Sequence, residues 1–320
     1  MKTYKVVFSC QSAINNLPSS QAIFGAICTI LLQTKGEAEF NRYINSFKEN
    51  NPLMIHSSMY QDNMYPMIKK NIFTTDIVNQ IIADTSPIDK IQIFESLKKY
   101  KKIKYMSSSI YNRYIGTNQL DNFRADLVKN KDAFTIENGI LRDRKDSEVL
   151  IPRTILLTRN GFPESQNDKT LFYVNAQYYP KGTKFCVYLK ANISKEEIES
   201  IFKYFDYFGI GNRRTVGLNS FKFDKLAEIE FLNPTDYRLI LSKFIPDVND
   251  FDYSSSFYQL NGDIYRSSKE YTGGFINGKY VHFLEGSWMK VNQKKEYYGR
   301  MIETMIEGKC IYHYGIGFSV

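Results

Sequence analysis

Phe208-Gly209-Ile210-Gly211-Asn212-Arg213-Arg214-Thr215-Val216-Gly217-Leu218-Asn219-Ser220-Phe221 separates a helical pattern from a strand pattern. Upstream, Ser194-Lys195-Glu196-Glu197 forms a capping box, and Ile198, Ile201, Phe202 and Phe205 recur on one helix face up to Gly209. Downstream, Ser220 to Phe231 alternates as a strand. Further back, Thr170–Tyr179 and Thr183–Ala191 alternate around Pro180-Lys181-Gly182, which predicts a β-hairpin. At the start, Thr3–Phe8 reads as a strand, followed by a polar loop with Asn15, Asn16 and Pro18. Ser19 or Ser20 then caps a helix carrying Ile23, Ala26, Ile27, Ile30 and Leu31. Strand, helix, strands, helix, strand is the order of a ferredoxin-like, RRM-type domain, an α+β fold with an antiparallel sheet.

The loop itself points to a polyanion. Gly209, Gly211 and Gly217 allow positive φ and close approach of another chain, while Arg213 and Arg214 bring planar forks of donors. A glycine cap and a plain turn would use the same glycines. No Gly-Lys-Ser/Thr closes the run, so it is not a Walker A loop. A dinucleotide fingerprint follows a strand and opens a helix, the reverse of this arrangement. An RNA backbone is therefore favoured over a nucleotide cofactor.

Composition agrees with that direction without deciding it. The 320 residues carry 42 basic and 34 acidic side chains, a net charge of +8. Aromatics reach 15%, with 24 Tyr and 23 Phe, which suits a β-rich core and also base-stacking surfaces. Cys10, Cys28, Cys186 and Cys310 are scattered, with no zinc or disulfide spacing, so neither cofactor nor metal is expected. The longest apolar run, Ile23 to Leu32, is too short to cross a bilayer, and no secretory segment opens the chain. A soluble cytoplasmic protein is expected.

Elsewhere, Glu37–Lys48 predicts a helix with Phe40, Ile44 and Phe47 on one side. Pro52 to Met59 reads as a strand, and Tyr65 to Lys70 as a basic extended segment. Ile88–Tyr100 predicts a helix with Ile91, Phe94 and Leu97 inward. Lys98, Lys99, Lys101, Lys102 and Lys104 follow, a run that reads first as a solvated face. Asp121 to Asp146 is charged and expected to be loop-rich. Asn233-Pro234-Thr235 marks a boundary, giving a domain over 1–232 with an insertion around 60–150 and a second over 233–320. In that second part, Tyr237–Ile245 and Lys279–Leu284 read as strands, and Tyr314-Gly315-Ile316-Gly317-Phe318 is a second glycine element.

No catalytic constellation emerges. His56, His282 and His313 sit in strand patterns without metal-binding spacing. Ser287 in Glu285-Gly286-Ser287-Trp288 lacks the second glycine of a nucleophile elbow. Asp247, Asp250 and Asp252 lack the glycine and closing glutamate of a calcium loop.

The helix start Pro18-Ser19-Ser20-Gln21-Ala22-Ile23-Phe24-Gly25-Ala26, the loop Gly209–Gly217, Glu285-Gly286-Ser287 and the ending Tyr314–Phe318 occur in one order. Together they resemble the RAMP superfamily of CRISPR proteins, and within it the fourth subunit of type III-A (Csm) effector complexes. Lys101-Lys102-Ile103-Lys104-Tyr105 also resembles a basic element of that family, while Leu218-Asn219 departs from it where a further glycine is common. The resemblance implies two ferredoxin-like domains, no nuclease activity of the subunit's own and a role in antiviral defence. It further implies a grip on the 5′ repeat-derived handle of the crRNA, docking of the large polymerase-palm subunit, and an adjacent backbone RAMP subunit. The implied RNA contacts are Ser19, Ser20, Gly209, Gly211, Arg213, Arg214 and Gly217, with Arg153, Arg159, Arg266, Ser267 and Ser268 added. A repeat-processing RAMP endoribonuclease and the equivalent type III-B subunit are the alternatives. The first needs a histidine near the first helix, and residues 1–55 contain none.

Overall fold

Alternation in the opening residues produces β1 (Lys2–Cys10), which leads into α1 (Ser20–Ile30), α2 (Glu37–Lys48), β2 (Met54–His56) and β3 (Tyr60–Gln61). The computed structural model describes the chain apart from residues 70–71, 84–86, 130, 147–148, 161–170, 212–215, 232–234, 267–276 and 307. An inserted block follows: β4 (Met64–Pro66), α3 (Thr75–Ile82), α4 (Pro87–Tyr100), β5 (Tyr105–Ser107), the single turn α5 (Ser108–Ile110) and α6 (Leu120–Lys129). It continues through β6 (Phe134–Glu137), β7 (Ile140–Asp143), β8 (Arg153–Asn160) and β9 (Leu171–Tyr178). The frame then resumes with β10 (Lys184–Ala191), α7 (Lys195–Lys203), α8 (Phe205–Phe208) and β11 (Phe221–Glu228).

The main sheet runs β11-β1-β10-β2, with β3 also on β10, and every pairing is antiparallel. Numbering its long-range strands by appearance gives the spatial order 4-1-3-2 with a helix after the first and third. Tyr4, Val6 and Phe8 of β1 face the helices, and all three are buried. Phe8 lies 6.2 Å from Phe202 and 6.1 Å from Phe205, so α7 and α8 lock onto the central strand through aromatic rings. Replacing Phe8 with alanine would cost roughly 3–5 kcal/mol, the usual loss for a buried ring. Ser19 caps α1 by accepting the Ala22 N–H at 3.4 Å, and Ser194 caps α7 by accepting that of Glu197 at 3.2 Å.

The inserted block builds a second sheet, β4-β5-β7-β6, in which β5 and β7 are parallel. It covers part of the main sheet's other face: Tyr65 stacks on Tyr188 of β10 at 5.9 Å and on Tyr111 at 4.4 Å.

The remaining residues supply β12 (Tyr237–Leu239), β13 (Phe251–Phe257), β14 (Leu260–Arg266), β15 (Asn277–Phe283), β16 (Trp288–Val291) and β17 (Tyr298–Gly299). They end in β18 (Ile302–Ile306), β19 (Lys309–His313) and β20 (Ile316–Gly317). A sheet β12-β16-β13 and the pairs β14–β15, β17–β20 and β18–β19 result, with no helix among the described residues of this part. The chain end returns to the first core, where Tyr314 stacks on His56 at 4.4 Å. A Cβ on Gly315 would collide with the Arg300 carbonyl, and one on Gly317 would press within 3.2 Å of the Phe244 ring. The second glycine element is thus a packing device. Two residues of the expected boundary, Asn233 and Pro234, lie outside the described residues.

Three expectations fail for identifiable reasons. The hairpin over 169–191 does not form, because β9 pairs with β8 and β10 pairs with β1 and β2. The Pro180 turn is present, with the Thr183 N–H on the Pro180 carbonyl at 3.2 Å. However, β10 is apolar on both faces and needs neighbours on both edges, whereas β9 buries only Val174 and Ala176. The region from Asp121 is no loop: α6 buries Leu120, Phe123 and Leu127, and Asn138-Gly139, both at positive φ, turn the β6–β7 hairpin. In α4, Ile93 and Tyr100 face inward, while Ile91 and Phe94 are 63% and 48% exposed.

A pH dependence follows from the His56 contact. Its ring is fully buried, its Nε2 has no partner, and burial pushes its pKa down from 6.5 to about 4. The unfolded chain takes up a proton below about pH 6.5 that the folded chain refuses. The stabilisation is therefore complete above pH 6.5 and lost as pH falls through 4, about 3 kcal/mol from this group. Urea unfolding of wild type and His56→Phe at pH 7.5 and pH 4.5 checks this, with the smaller pH effect expected in the variant.

Candidate nucleic-acid interface

The glycine loop is fixed at both ends. Gly209 takes φ 63° and turns the chain out of α8, its N–H still bonded to the Phe205 carbonyl at 3.0 Å. Ile210 is fully buried, and its N–H donates to the Asn219 carbonyl at 3.3 Å, closing the loop across its base. Gly211 and Gly217 have φ of 86° and 80°, values at which a side chain is strained. Arg213 and Arg214 lie outside the described residues.

The segment joining β1 to α1 forms the loop's floor. The Asn219 N–H donates to the Ala13 carbonyl at 3.1 Å, and the Asn219 side-chain oxygen accepts the Asn15 N–H at 2.9 Å. Ser220 and Gln11 add two more bonds, Ser220 N–H to the Ser12 hydroxyl and Gln11 N–H to the Ser220 carbonyl, both 2.9 Å. Asn219 holds φ 55° while 1% exposed, so the sequence departure at Leu218-Asn219 keeps the left-handed backbone that a glycine would have given.

The β8–β9 hairpin stands on this base. Ile155, Leu157, Val174 and Ala176 pack on Leu218 and Ala13, and Ile14 and Gln177 exchange backbone bonds of 2.9 and 2.7 Å. Arg159 donates to the Val216 carbonyl at 3.2 Å, which ties the hairpin to the loop. Arg153 is exposed on the same hairpin face, six residues away, or roughly 20 Å along the strand. On the opposite face Leu156, Leu171 and Tyr173 are exposed, and Tyr207, two residues before Gly209, is 85% exposed. Sequence reading passed over these. Leu156 and Tyr173 carry the one available signal, since they alternate with the residues that anchor the hairpin.

Ser19 is partly exposed and close to the loop, because its neighbour Pro18 lies beside Gly211. Ser20 is not available as a surface contact. It is fully buried, its hydroxyl accepts the Lys243 N–H at 3.2 Å, and its N–H donates to Ser58 at 2.8 Å. Ser58 in turn donates to Glu285 at 2.7 Å, so this part of the α1 N-terminus is satisfied internally. Arg266 closes β14 in the C-terminal part, and Ser267 and Ser268 lie outside the described residues.

The arrangement offers backbone donors, hydroxyls and guanidinium groups, which suit phosphate oxygens. His56, His282 and His313 are all buried, and no disulfide joins the four cysteines. Among the described residues no group of three His, Cys, Asp or Glu is placed to hold a metal ion. No helix of the described residues is long and apolar enough to cross a membrane.

Asn219 is the test of the loop's floor. Asn219→Gly keeps the backbone and removes the side-chain acceptor, an expected loss of about 1 kcal/mol. Asn219→Ala adds the left-handed penalty, for a total of roughly 2–3 kcal/mol. Equal midpoints for the two variants in urea would show that the backbone at 219 carries no constraint.

No protein-family model and no curated protein matches the sequence. Solved structures do match. The Csm1–Csm4 cassette in complex with pppApA aligns over 100% of this chain and 97% of its own, at 13% identity and TM-score 0.58. The Csm3–Csm4 subcomplex of the type III-A CRISPR-Cas interference complex aligns over 100% and 98%, at 17% identity and TM-score 0.60. The cassette with cA4 aligns over 99% and 97%, at 14% identity and TM-score 0.55. Csm4 is the component shared by these assemblies, and the chain carries a Csm4-like, mixed α+β fold along its whole length.

Proposed function

We propose that the chain is the crRNA-binding subunit of a type III-A CRISPR-Cas interference complex. In this reading it holds the 5′ repeat-derived handle at the glycine loop, docks the large polymerase-palm subunit and adjoins a backbone RAMP subunit in the cytoplasm. The observation that carries the reading is the end-to-end likeness to Csm4, in complexes with Csm1 and with Csm3. The loop geometry supports it, since positive-φ glycines on the Asn219 floor flank the stretch of sequence that carries both arginines. The chain is read as two ferredoxin-like halves, the first with its 4-1-3-2 sheet and the second built on β12-β16-β13.

The subunit is proposed to be non-catalytic. A repeat-processing endoribonuclease needs an accessible acid/base, and the three histidines are buried in separate strands. Purified protein is expected to leave repeat RNA intact with or without divalent metal. Cleavage abolished by substituting one of the histidines would reverse this assignment.

Binding is expected to run through phosphates, with log affinity falling against log salt by about 0.7 per phosphate neutralised. The double change Arg213→Ala and Arg214→Ala should leave the melting temperature nearly unchanged and flatten that slope. Each charged hydrogen bond lost should cost roughly 1.5–3 kcal/mol of binding. Unchanged RNA affinity would make the loop a turn only. A collapsed melting transition would make the arginines structural.

A further inference from the structure

The inserted block carries a surface that the RNA-binding reading leaves unused. On α4, Ile91 and Phe94 project into solvent at 63% and 48% exposure, and Phe94 stands three residues, about one turn, from Leu97. Leu97 opens onto a cavity of about 510 Å³ walled by Phe73, Tyr100, Leu127, Phe134 and Ile136. Ile136, on the β6–β7 hairpin across from the helix, is 40% exposed. Lys99 and Lys102 also line the cavity, and Lys98, Lys101 and Lys104 neighbour them in the chain; all five are exposed. None of the five pairs with a carboxylate among the described residues.

We propose that this groove docks an acidic, amphipathic segment of a partner protein, its apolar side chains in the cavity and its carboxylates on the lysines. The inference rests on reading the chain as a subunit of a larger complex. An apolar pocket is where a protein partner seats an anchoring side chain, and unpaired lysines around it select an acidic partner and speed its approach. RNA is a poorer fit. Among the strongly exposed side chains here only Phe94 offers a planar face on which a base stacks, while Ile91 and Ile136 present aliphatic surface. A second copy is also disfavoured, since this chain has a net charge of +8 and would meet the lysines with like charge.

The test uses the full chain with its two candidate partners from the same host, the large Csm1-like subunit and the neighbouring Csm3-like subunit, each purified. Two variants are compared with wild type: Ile91→Asp with Phe94→Asp, and Lys99→Glu with Lys102→Glu. The lysine pair keeps the test open should the aspartates disturb α4. Either variant is expected to weaken association with one partner about tenfold or more, as loss of an interface anchor does, while binding of the crRNA handle stays unchanged. Wild-type association should also weaken as salt rises. Undiminished association with both partners would overturn the proposal. So would a parallel loss of RNA affinity, which would make the groove an RNA surface, or a wild-type dimer that the variants lose. A wild-type chain that binds RNA and joins neither partner would overturn the docking part of the subunit reading, and the groove with it.

Discussion

The ring of Tyr314 holds the molecule together across its full sequence length. It lies flat on His56, at 6° between planes, and packs against Phe24 and Phe47. Its hydroxyl accepts the His56 N–H at 2.8 Å and donates to the His56 carbonyl at 3.0 Å, while burial pushes the phenol's pKa well up. Its own N–H donates to Gln21 in the first turn of α1. One side chain near the chain end thus fixes α1, α2 and β2 together. The next residue must be glycine because the Arg300 carbonyl occupies the space of a side chain. The floor of the glycine loop inherits this rigidity, since Gln11–Asn15 leads directly into the capped start of α1.

The proposed interface is built on a fixed base. Asn219 supplies three constraints at once: a left-handed backbone, an N–H on Ala13 and an acceptor for Asn15. Ordering these bonds in the free protein means their conformational entropy is already lost before any ligand arrives. Arg159 illustrates a second economy. Its guanidinium spends one donor on the Val216 carbonyl, joining the hairpin to the loop, and keeps its charge beside the arginine-bearing segment.

The elements legible in the sequence were those whose local signals agree with their packing. β1, α1, α2 and α7 combine clear periodicity with caps at Ser19 or Ser194, or, in α2, with an amphipathic face. Pairing was less legible than strand identity: alternation located β9 and β10 but could not say that β9 belongs with β8 across ten intervening residues. Asn138-Gly139 between Ile136 and Ile140 was a readable hairpin signal obscured by the surrounding charge. In α4 the inward and outward faces are both apolar, and periodicity alone could not choose between them. At the site, the glycines and Arg159 were visible in the sequence, whereas the burial of Ser20 depends on Lys243 and Ser58, which are remote in the chain.

The insertion also bears on the proposed RNA interface. An RRM-type sheet ordinarily presents bare aromatics on its open face for bases to stack on. Here Tyr188 sits on that face of β10, yet Tyr65 covers it and Tyr111 covers Tyr65 in turn. Lys5, on the same face, is paired with Asp62 at the start of the insertion. Burial pushes the Tyr188 phenol well above its ordinary pKa, as expected of a ring closed off from water. The aromatic richness of the chain is therefore largely spent inside; among the rings left bare, Tyr207 lies two residues before Gly209 and Tyr173 stands on the hairpin that Arg159 ties to the loop. With Tyr188 and Lys5 covered, the loop edge still offers the Arg159 guanidinium near exposed rings. An RNA strand held there would follow the loop and hairpin and would not cross the sheet.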